Sequence, residues 1–416
     1  MLSFLFIFIS CEEKENPVYS NVNEVDFYEE IQPILEQNCV ACHQEGGQGI
    51  GDFTTYENVL AMGPLIADSI ESGRMPPPVA DPTCRDYKGS DVLHLSEDNK
   101  QLLLDWIADD MPEGDPATAQ EYDHDVFTLK DADLTIMMEE EYTPYFDLPN
   151  NPGNEYRCFS IEHGRTEPFY ITAIHPIIDN HDLVHHVVIA KADPEGIIEN
   201  SNHPDGARCI RRGGAFISDF EHGAMLSGWA PGMRPVELEK DSGMLVLPDD
   251  YLVIQIHYYQ NPDAERSTDQ SGVAFRTTDA VDHVVQMFPF GIRNFTIPAG
   301  AEDHTITDSI SIPIGYRIWG IFPHMHVLGS RYSFSIGEGE DKKCLAQSDH
   351  YDFENQLSYI FHKDVEVPAS TPFNMSCSWN NSTTNSSLIH NPPIDISYGE
   401  RTDEEMCFGF TLVSFN

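Results

Sequence analysis

Two regimes of apolar spacing divide the chain. In residues 21–116 the apolar positions recur at helical intervals. Phe27-Tyr28-Glu29-Glu30-Ile31-Gln32-Pro33-Ile34-Leu35 is one such run. Residues 99–107, with Leu102, Leu103, Leu104 and Trp106, form another. Leu95-Ser96-Glu97-Asp98 precedes it as an N-cap with acidic residues in the first turn. Beyond the linker, β-type runs alternate with turns rich in Asn, Gly, Asp and Pro: 168–174, 187–190, 245–247, 251–259, 284–290, 306–314 and 312–322. No long amphipathic helix is expected between 118 and 280. Met111-Pro112-Glu113-Gly114-Asp115-Pro116-Ala117 has no apolar period and starts a linker. The expectation is a mainly β protein: two antiparallel sandwich domains, 131–282 and 283–416, preceded by a small α-helical domain at 21–116 and a linker at 117–130.

Composition changes that picture in one respect. With 416 residues and 40 % apolar content the chain can build several cores, but its formal charge is −46. Such a charge excludes nucleic acid as a partner, because nothing offsets repulsion from phosphates. The acidic residues are scattered, as on a solvated surface facing a salty exterior; attraction of a cationic redox protein or substrate is a second reading.

Residues 1–20 read as a leader and tether. A short apolar run ends at Ser10-Cys11 and charge follows at once, which resembles the lipobox of bacterial lipoproteins. The expected location is the periplasm or cell surface, with lipid on Cys11 as the sole membrane contact. The run lacks a basic region before it, so a start upstream of Met1 is expected.

Nine cysteines are present. Cys39-Val40-Ala41-Cys42-His43 is the c-type haem attachment signature: two thiols for the vinyl groups and an adjacent His for the iron. Met75, in Gly73-Arg74-Met75-Pro76-Pro77-Pro78, is the best candidate for the second axial ligand and Met62 the alternative; a thioether raises the haem potential and suits electron transfer. This unit resembles a class I cytochrome c domain. Setting aside Cys11, Cys39 and Cys42 leaves an even six, which in an exported protein argues for disulfides.

Five histidines lie in or beside β-runs. His324 and His326 flank Met325 after a strand, so both point the same way and form half of a metal site. His185 and His186 are adjacent and would face opposite ways on a regular strand; both reach one ion only at a strand end or bulge. His257 ends the run Leu252-Val253-Ile254-Gln255-Ile256. Singly, each is as readily a core or surface residue. Together they make a two-metal inventory.

The ordered set resembles the copper type II, ascorbate-dependent monooxygenases, the peptidylglycine α-hydroxylating and dopamine β-hydroxylating family, over about residues 130–416. It comprises Tyr156-Arg157-Cys158, His185-His186, Gln255-Ile256-His257, Ile297-Pro298-Ala299-Gly300, the His324-Met325-His326-Val327-Leu328-Gly329 segment and Glu404-Glu405-Met406-Cys407. The resemblance implies two jelly-roll-like β-sandwiches with one copper each. His185, His186 and His257 would hold the electron-supplying ion; His324, His326 and Met406 would form the catalytic site where O2 is used. A soft thioether favours Cu(I), which agrees with that division. It also implies a Cys377–Cys407 disulfide; Cys158–Cys209 is a plausible second, while the pairing of Cys84 and Cys344 stays open. The implied reaction is hydroxylation of an activated C–H bond of a small molecule, with ascorbate or another reductant as donor and the fused haem passing electrons on.

The pattern departs from the peptidylglycine enzymes where they grip a carboxylate. Phe322 stands in place of their Arg, and Phe408 and Phe410 replace an Asn and a Tyr. A carboxylate left unpaired in such a pocket costs several kcal/mol. An apolar or aromatic substrate is therefore expected, with these three residues in its pocket. The rival class is a non-catalytic copper and haem electron-transfer lipoprotein. A hydrolytic metalloenzyme is disfavoured, since no His-Glu-x-x-His occurs.

Overall fold

The computed structural model describes residues 25–44, 47, 49–122, 128–147, 153–197, 209, 223–230, 233–239, 241–262, 264–353, 355–399 and 401–415. The expectation for Cys11 lies outside these.

The N-terminal part is helical, as the apolar spacing requires. A π-helical turn at Phe27–Ile31 runs into α1 (Gln32–Asn38); α2 (Tyr56–Glu71), α3 (Ser90–Leu93) and α4 (Glu97–Ala108) follow. Asp26, Thr55 and Ser96 cap the first turn, α2 and α4 by accepting from backbone amides three residues on. Phe27, Ile31, Leu35, Val59, Leu103 and Trp106 close a core of their own. The longest helix, α2, was not expected, because Gly63-Pro64 interrupts its apolar pattern. Packing overrides that break. A Cβ on Gly63 would come within 2.4 Å of the Met111 sulfur, so the glycine is what lets the chain after α4 lie against α2.

Residues 78–90 leave this small core and strap onto the C-terminal part of the chain. The Asp81 amide donates to the Gln347 carbonyl (2.8 Å), the Lys88 amide to the Ile360 carbonyl (2.8 Å), and the Ala80 amide to the Tyr359 hydroxyl (2.9 Å). Tyr87 is buried in the β core. A Cys84–Cys344 disulfide fixes the strap covalently. That answers the open pairing: the bridge ties the helical part to the C-terminal part of the chain.

The remainder is mainly β. The first ten strands are β1 (Leu134–Met137), β2 (Asn154–Glu162), β3 (Phe169–Ile177), β4 (Val184–Ala192), β5 (Gly223–Trp229), β6 (Val236–Glu237), β7 (Ser242–Val246), β8 (Tyr251–Tyr259), β9 (Gly272–Thr278) and β10 (His283–Val284). They form two sheets, β2-β8-β4-β5 and β1-β9-β3-β7-β10, with β6 also on β3. Ten more follow: β11 (Gln286–Ile292), β12 (Thr296–Ile297), β13 (His304–Ser311), β14 (Tyr316–His324), β15 (Gly329–Ile336), β16 (Lys343–Ser348), β17 (Tyr359–Val367), β18 (Pro372–Trp379), β19 (Ile396–Ser397) and β20 (Cys407–Phe415). Their sheets are β11-β20-β14-β17 and β13-β18-β15-β16, with β12 and β19 as a small pair.

Alternation supplies the faces. Val187 and Ile189 of β4, Ile254 and Ile256 of β8, and Phe169, Ile171 and Phe275 of the facing sheet share one core. In the C-terminal pair Phe290 stacks on Phe373 at 4.0 Å, joining one sheet to the other. The apolar cluster is continuous through both pairs of sheets. Cys158–Cys209 and Cys377–Cys407 are both formed.

Candidate metal centres

The first centre is built at one end of the β2-β8-β4-β5 sheet. Along β4 the pairing with β8 shifts register between Val184 and His186, so His185 occupies a bulge and His186 lies opposite His257. The bulge is what turns two adjacent imidazoles the same way. The Nδ1 atoms of His185 and His186 are 3.0 Å apart, and those of His186 and His257 3.3 Å. All three residues offer a ring nitrogen within 4.8 Å of the others. The His257 Nε2–H donates to Asn154 Oδ1 (2.9 Å), which leaves its Nδ1 lone pair facing the cluster. Burial, with the charges of His186 and His185, holds the His257 pKa well below 6.5. Three imidazoles turned on one point present ring nitrogens to each other, an arrangement that suits a cation. Tyr156 lies flat on His257, with ring centroids 4.1 Å apart.

The second centre lies where β14 ends. His324 is its last residue and His326 follows one residue on, with ring centroids 5.1 Å apart. The His324 Nδ1–H donates to Gln356 Oε1 (2.6 Å) and the His326 Nδ1–H to the Glu404 carbonyl (3.0 Å). Both acceptors can only accept, so in each imidazole the lone pair sits on Nε2. Burial pushes the His324 pKa down to about 3, helped by the charges of His326 and of His186 in the other centre. The two clusters are thus within electrostatic reach of one another.

Met406, one residue before β20, is buried. It is tied to the histidines through Glu405, which is fully buried. Glu405 Oε2 accepts from the amides of His326 (3.0 Å) and Met406 (3.2 Å) and from Trp379 Nε1 (2.9 Å); Oε1 accepts from the Leu328 amide (2.7 Å). One carboxylate therefore holds the backbone of two candidate ligands. Burial raises its pKa to about 7, against the lowering effect of these four donors. The Cys377–Cys407 bridge pins the start of β20 to β18 beside them.

The aromatic wall is narrower than expected. Phe322 and Phe410 are cross-strand partners with rings 6.0 Å apart, and each lies 5.9 Å from the His324 ring. Phe408 is fully buried and stacks behind Phe410 at 5.6 Å, lying over Gly291. It backs the wall rather than lining it.

In the helical part Cys39 and Cys42 are unbridged. Burial pushes the Cys39 thiol up to about 12, with a further push from Cys42. His43 stacks on Phe53 at 4.3 Å, and its Nδ1–H donates to the Ile50 carbonyl (2.9 Å), leaving Nε2 free for a ligand. Met75 is 39 % exposed on the turn after α2, its amide donating to the Ser69 carbonyl. Met62 faces Gly51 within α2.

Three supports were not foreseen. Asn154 and Gln356 sit among many polar residues, and nothing in their spacing marks them. Glu405 stands in an acidic run, and the apolar Met406-Cys407-Phe408 that follows it is the one clue that it faces inward.

Residues 142–266 match the family model "Copper type II ascorbate-dependent monooxygenase, N-terminal domain". That stretch contains His185, His186 and His257. The chain is 26 % identical over 258 residues to DBH-like monooxygenase protein 1 of Mus musculus, covering 54 % of this chain and 41 % of that protein. It is 22 % identical over 263 residues to dopamine beta-hydroxylase of Canis lupus familiaris, covering 58 % of this chain and 40 % of that one. The chain spans about two-fifths of the length of these curated relatives. These likenesses support the copper type II monooxygenase family.

Proposed function

We propose that this chain is an exported copper-dependent monooxygenase that hydroxylates an activated C–H bond of a small apolar or aromatic molecule with O2. The observation that carries the reading is the pair of unlike histidine clusters, with the tautomers of His257, His324 and His326 set by neighbours and the two clusters within electrostatic reach of one another. His185, His186 and His257 would hold one copper through Nδ1. His324, His326 and Met406 would hold the other. Copper, when bound, supplies one-electron chemistry and the activation of O2.

The protein's own groups do the rest. Depressed pKa values keep His257 and His324 neutral, so their lone pairs are free for metal at any physiological pH. Phe322 and Phe410 present an apolar wall beside His324 that excludes water and offers a carboxylate no partner. That favours a substrate with an aromatic or allylic C–H over a peptide terminus. The three disulfides fit an oxidising compartment.

The helical part is read as the electron entry. Cys39 and Cys42 would carry a covalent haem, His43 Nε2 would ligate its iron, and Met75 would be the sixth ligand. The donor set fits: two unbridged thiols and an imidazole whose other nitrogen is already committed. Ascorbate or a redox protein would reduce it.

The test is metal content and O2 uptake of the purified full chain. About two coppers and one haem per chain are expected, with substrate-dependent O2 uptake lost in Met406→Ala. A chain that binds no copper sinks the reading. Two coppers and a reducible haem without uptake for any of a panel of aromatic substrates would make it an electron-transfer protein instead.

A further inference from the structure

A cavity of about 570 Å³ opens where the strap, the first sandwich and the second sandwich meet, and no residue of either histidine cluster lines it. Its charged lining is Lys88, Lys130, Arg234 and Arg276 against Asp131 and Glu237. Four cations and two carboxylates line it, and Glu239 outside the lining pairs with Lys88, in a chain of net charge −46 that holds 23 Lys and Arg in all. Cations gathered in one concavity offset locally the negative field of the rest of the chain, and low-dielectric walls focus what each contributes.

The cations are not equivalent. Arg276 is ion-paired with Glu237, and Lys88 with Glu239 (3.0 Å). Arg234 makes no hydrogen bond or ion pair among the described residues, although it is partly buried and loses solvation there. The charge it feels is that of Asp91, and the Cys42 sulfur lies within its own electrostatic reach. A guanidinium drawn out of water without a planar acceptor is a costly arrangement, and it matches the fork geometry of a carboxylate or enolate.

We infer that this cavity binds a small organic anion of carboxylate or enolate type, with Arg234 as its main recognition group. The volume suits a small molecule. The site stands apart from the proposed oxygenase chemistry and adds to it one location: a ligand there lies on the Arg234 side of Cys42. Two sources share this chemistry, a reducing anion that feeds the haem and a non-reducing carboxylate.

The test is calorimetric titration of the full chain with gluconate, with neutral glucose as control. Saturable binding of gluconate alone is expected, weakened at least tenfold by Arg234→Gln and by 0.5 M salt, with copper content and melting temperature unchanged. Equal binding in Arg234→Gln, or no saturable binding of gluconate, overturns the inference. Ascorbate-driven haem reduction then assigns the source. Competition by gluconate means the anion is the reductant; reduction indifferent to gluconate, with binding intact, means a non-reducing ligand. Because the titration reads neither metal nor turnover, its failure is separable from failure of the monooxygenase reading.

Discussion

Glu405→Gln is the substitution that most directly probes how the second centre is held. The wild-type carboxylate accepts four N–H donors: the amides of His326, Leu328 and Met406, and Trp379 Nε1. An amide has one oxygen. Facing the Oε2 side, it keeps three bonds and turns its NH2 against the Leu328 amide; flipped, it keeps one and opposes three. The better arrangement loses one charge-assisted bond and leaves a buried donor unpaired, roughly 2–4 kcal/mol in all. At about 2–4 °C per kcal/mol for a domain of this size, the melting temperature should fall by roughly 4–15 °C. A structural residue alone would stop there. Because two of the four amides belong to candidate ligands, copper affinity at this centre should also fall, by roughly 10- to 100-fold, while the His185 centre keeps its copper. Copper titration followed by X-ray absorption separates the two, since sulfur scattering reports only the centre with Met406. Measurements at pH 8 keep the wild-type carboxylate ionised, given its pKa of about 7. If Glu405→Gln melted within 1 °C of wild type and kept the sulfur signal and affinity, the positioning role would be refuted.

Three further outcomes follow from the same geometry. Cys84→Ser opens a closure between residues 260 apart in sequence and should destabilise the chain by up to about 5 kcal/mol by loop entropy, read as a lowered denaturant midpoint; no change would mean the strap's hydrogen bonds suffice. In the metal-free chain His324 has a folded pKa near 3 against 6.5 unfolded, so below pH 6.5 the unfolded state takes a proton that the folded state refuses. Stability should therefore fall as pH drops from 6.5 towards 3, by up to about 1.4 kcal/mol per unit, and His324→Asn should flatten that slope in urea titrations; an equal slope would refute the assignment. Gly291→Ala puts a Cβ within 2.3 Å of the Phe408 ring, which is fully buried; a loss of roughly 1–3 kcal/mol and altered near-UV aromatic dichroism are expected, and a neutral result would mean Phe408 can move aside.

What repeats, or what chemistry compels, is legible in the chain as a string. The strand at 251–259 coincides with β8, because an apolar-rich run of nine residues dominated by branched and aromatic side chains leaves little freedom. The helix around Leu102 and Trp106 was visible for the same reason. The helix α2 was invisible, since Gly63-Pro64 is locally a break and only the tertiary contact with Met111 explains it. The strap at 78–90 was invisible too: backbone hydrogen bonds to Gln347 and Ile360 depend on partners some 270 residues away and leave no local pattern.

The same division runs through the candidate centres and has a physical origin. Binding a soft or borderline ion demands imidazole and thioether, so the candidate ligands His185, His186, His257, His324, His326 and Met406 would be constrained in type and can be found by type. Even the bulge at His185 could be anticipated, because adjacent imidazoles cannot otherwise converge. The groups that aim those ligands are constrained only to accept a hydrogen bond at the right place. An Asn side chain does this for His257, a Gln for His324, a main-chain carbonyl for His326 and a carboxylate for the two backbone amides. Four different acceptors serve one purpose, so residue type carries almost no information about the role. It follows that variants at Asn154, Gln356 and Glu405 test the assignment of the centres more sharply than variants at the histidines. Loss of metal from a histidine variant would follow for any bound ion, whereas graded, centre-specific loss from a support is expected only if these two clusters are the sites.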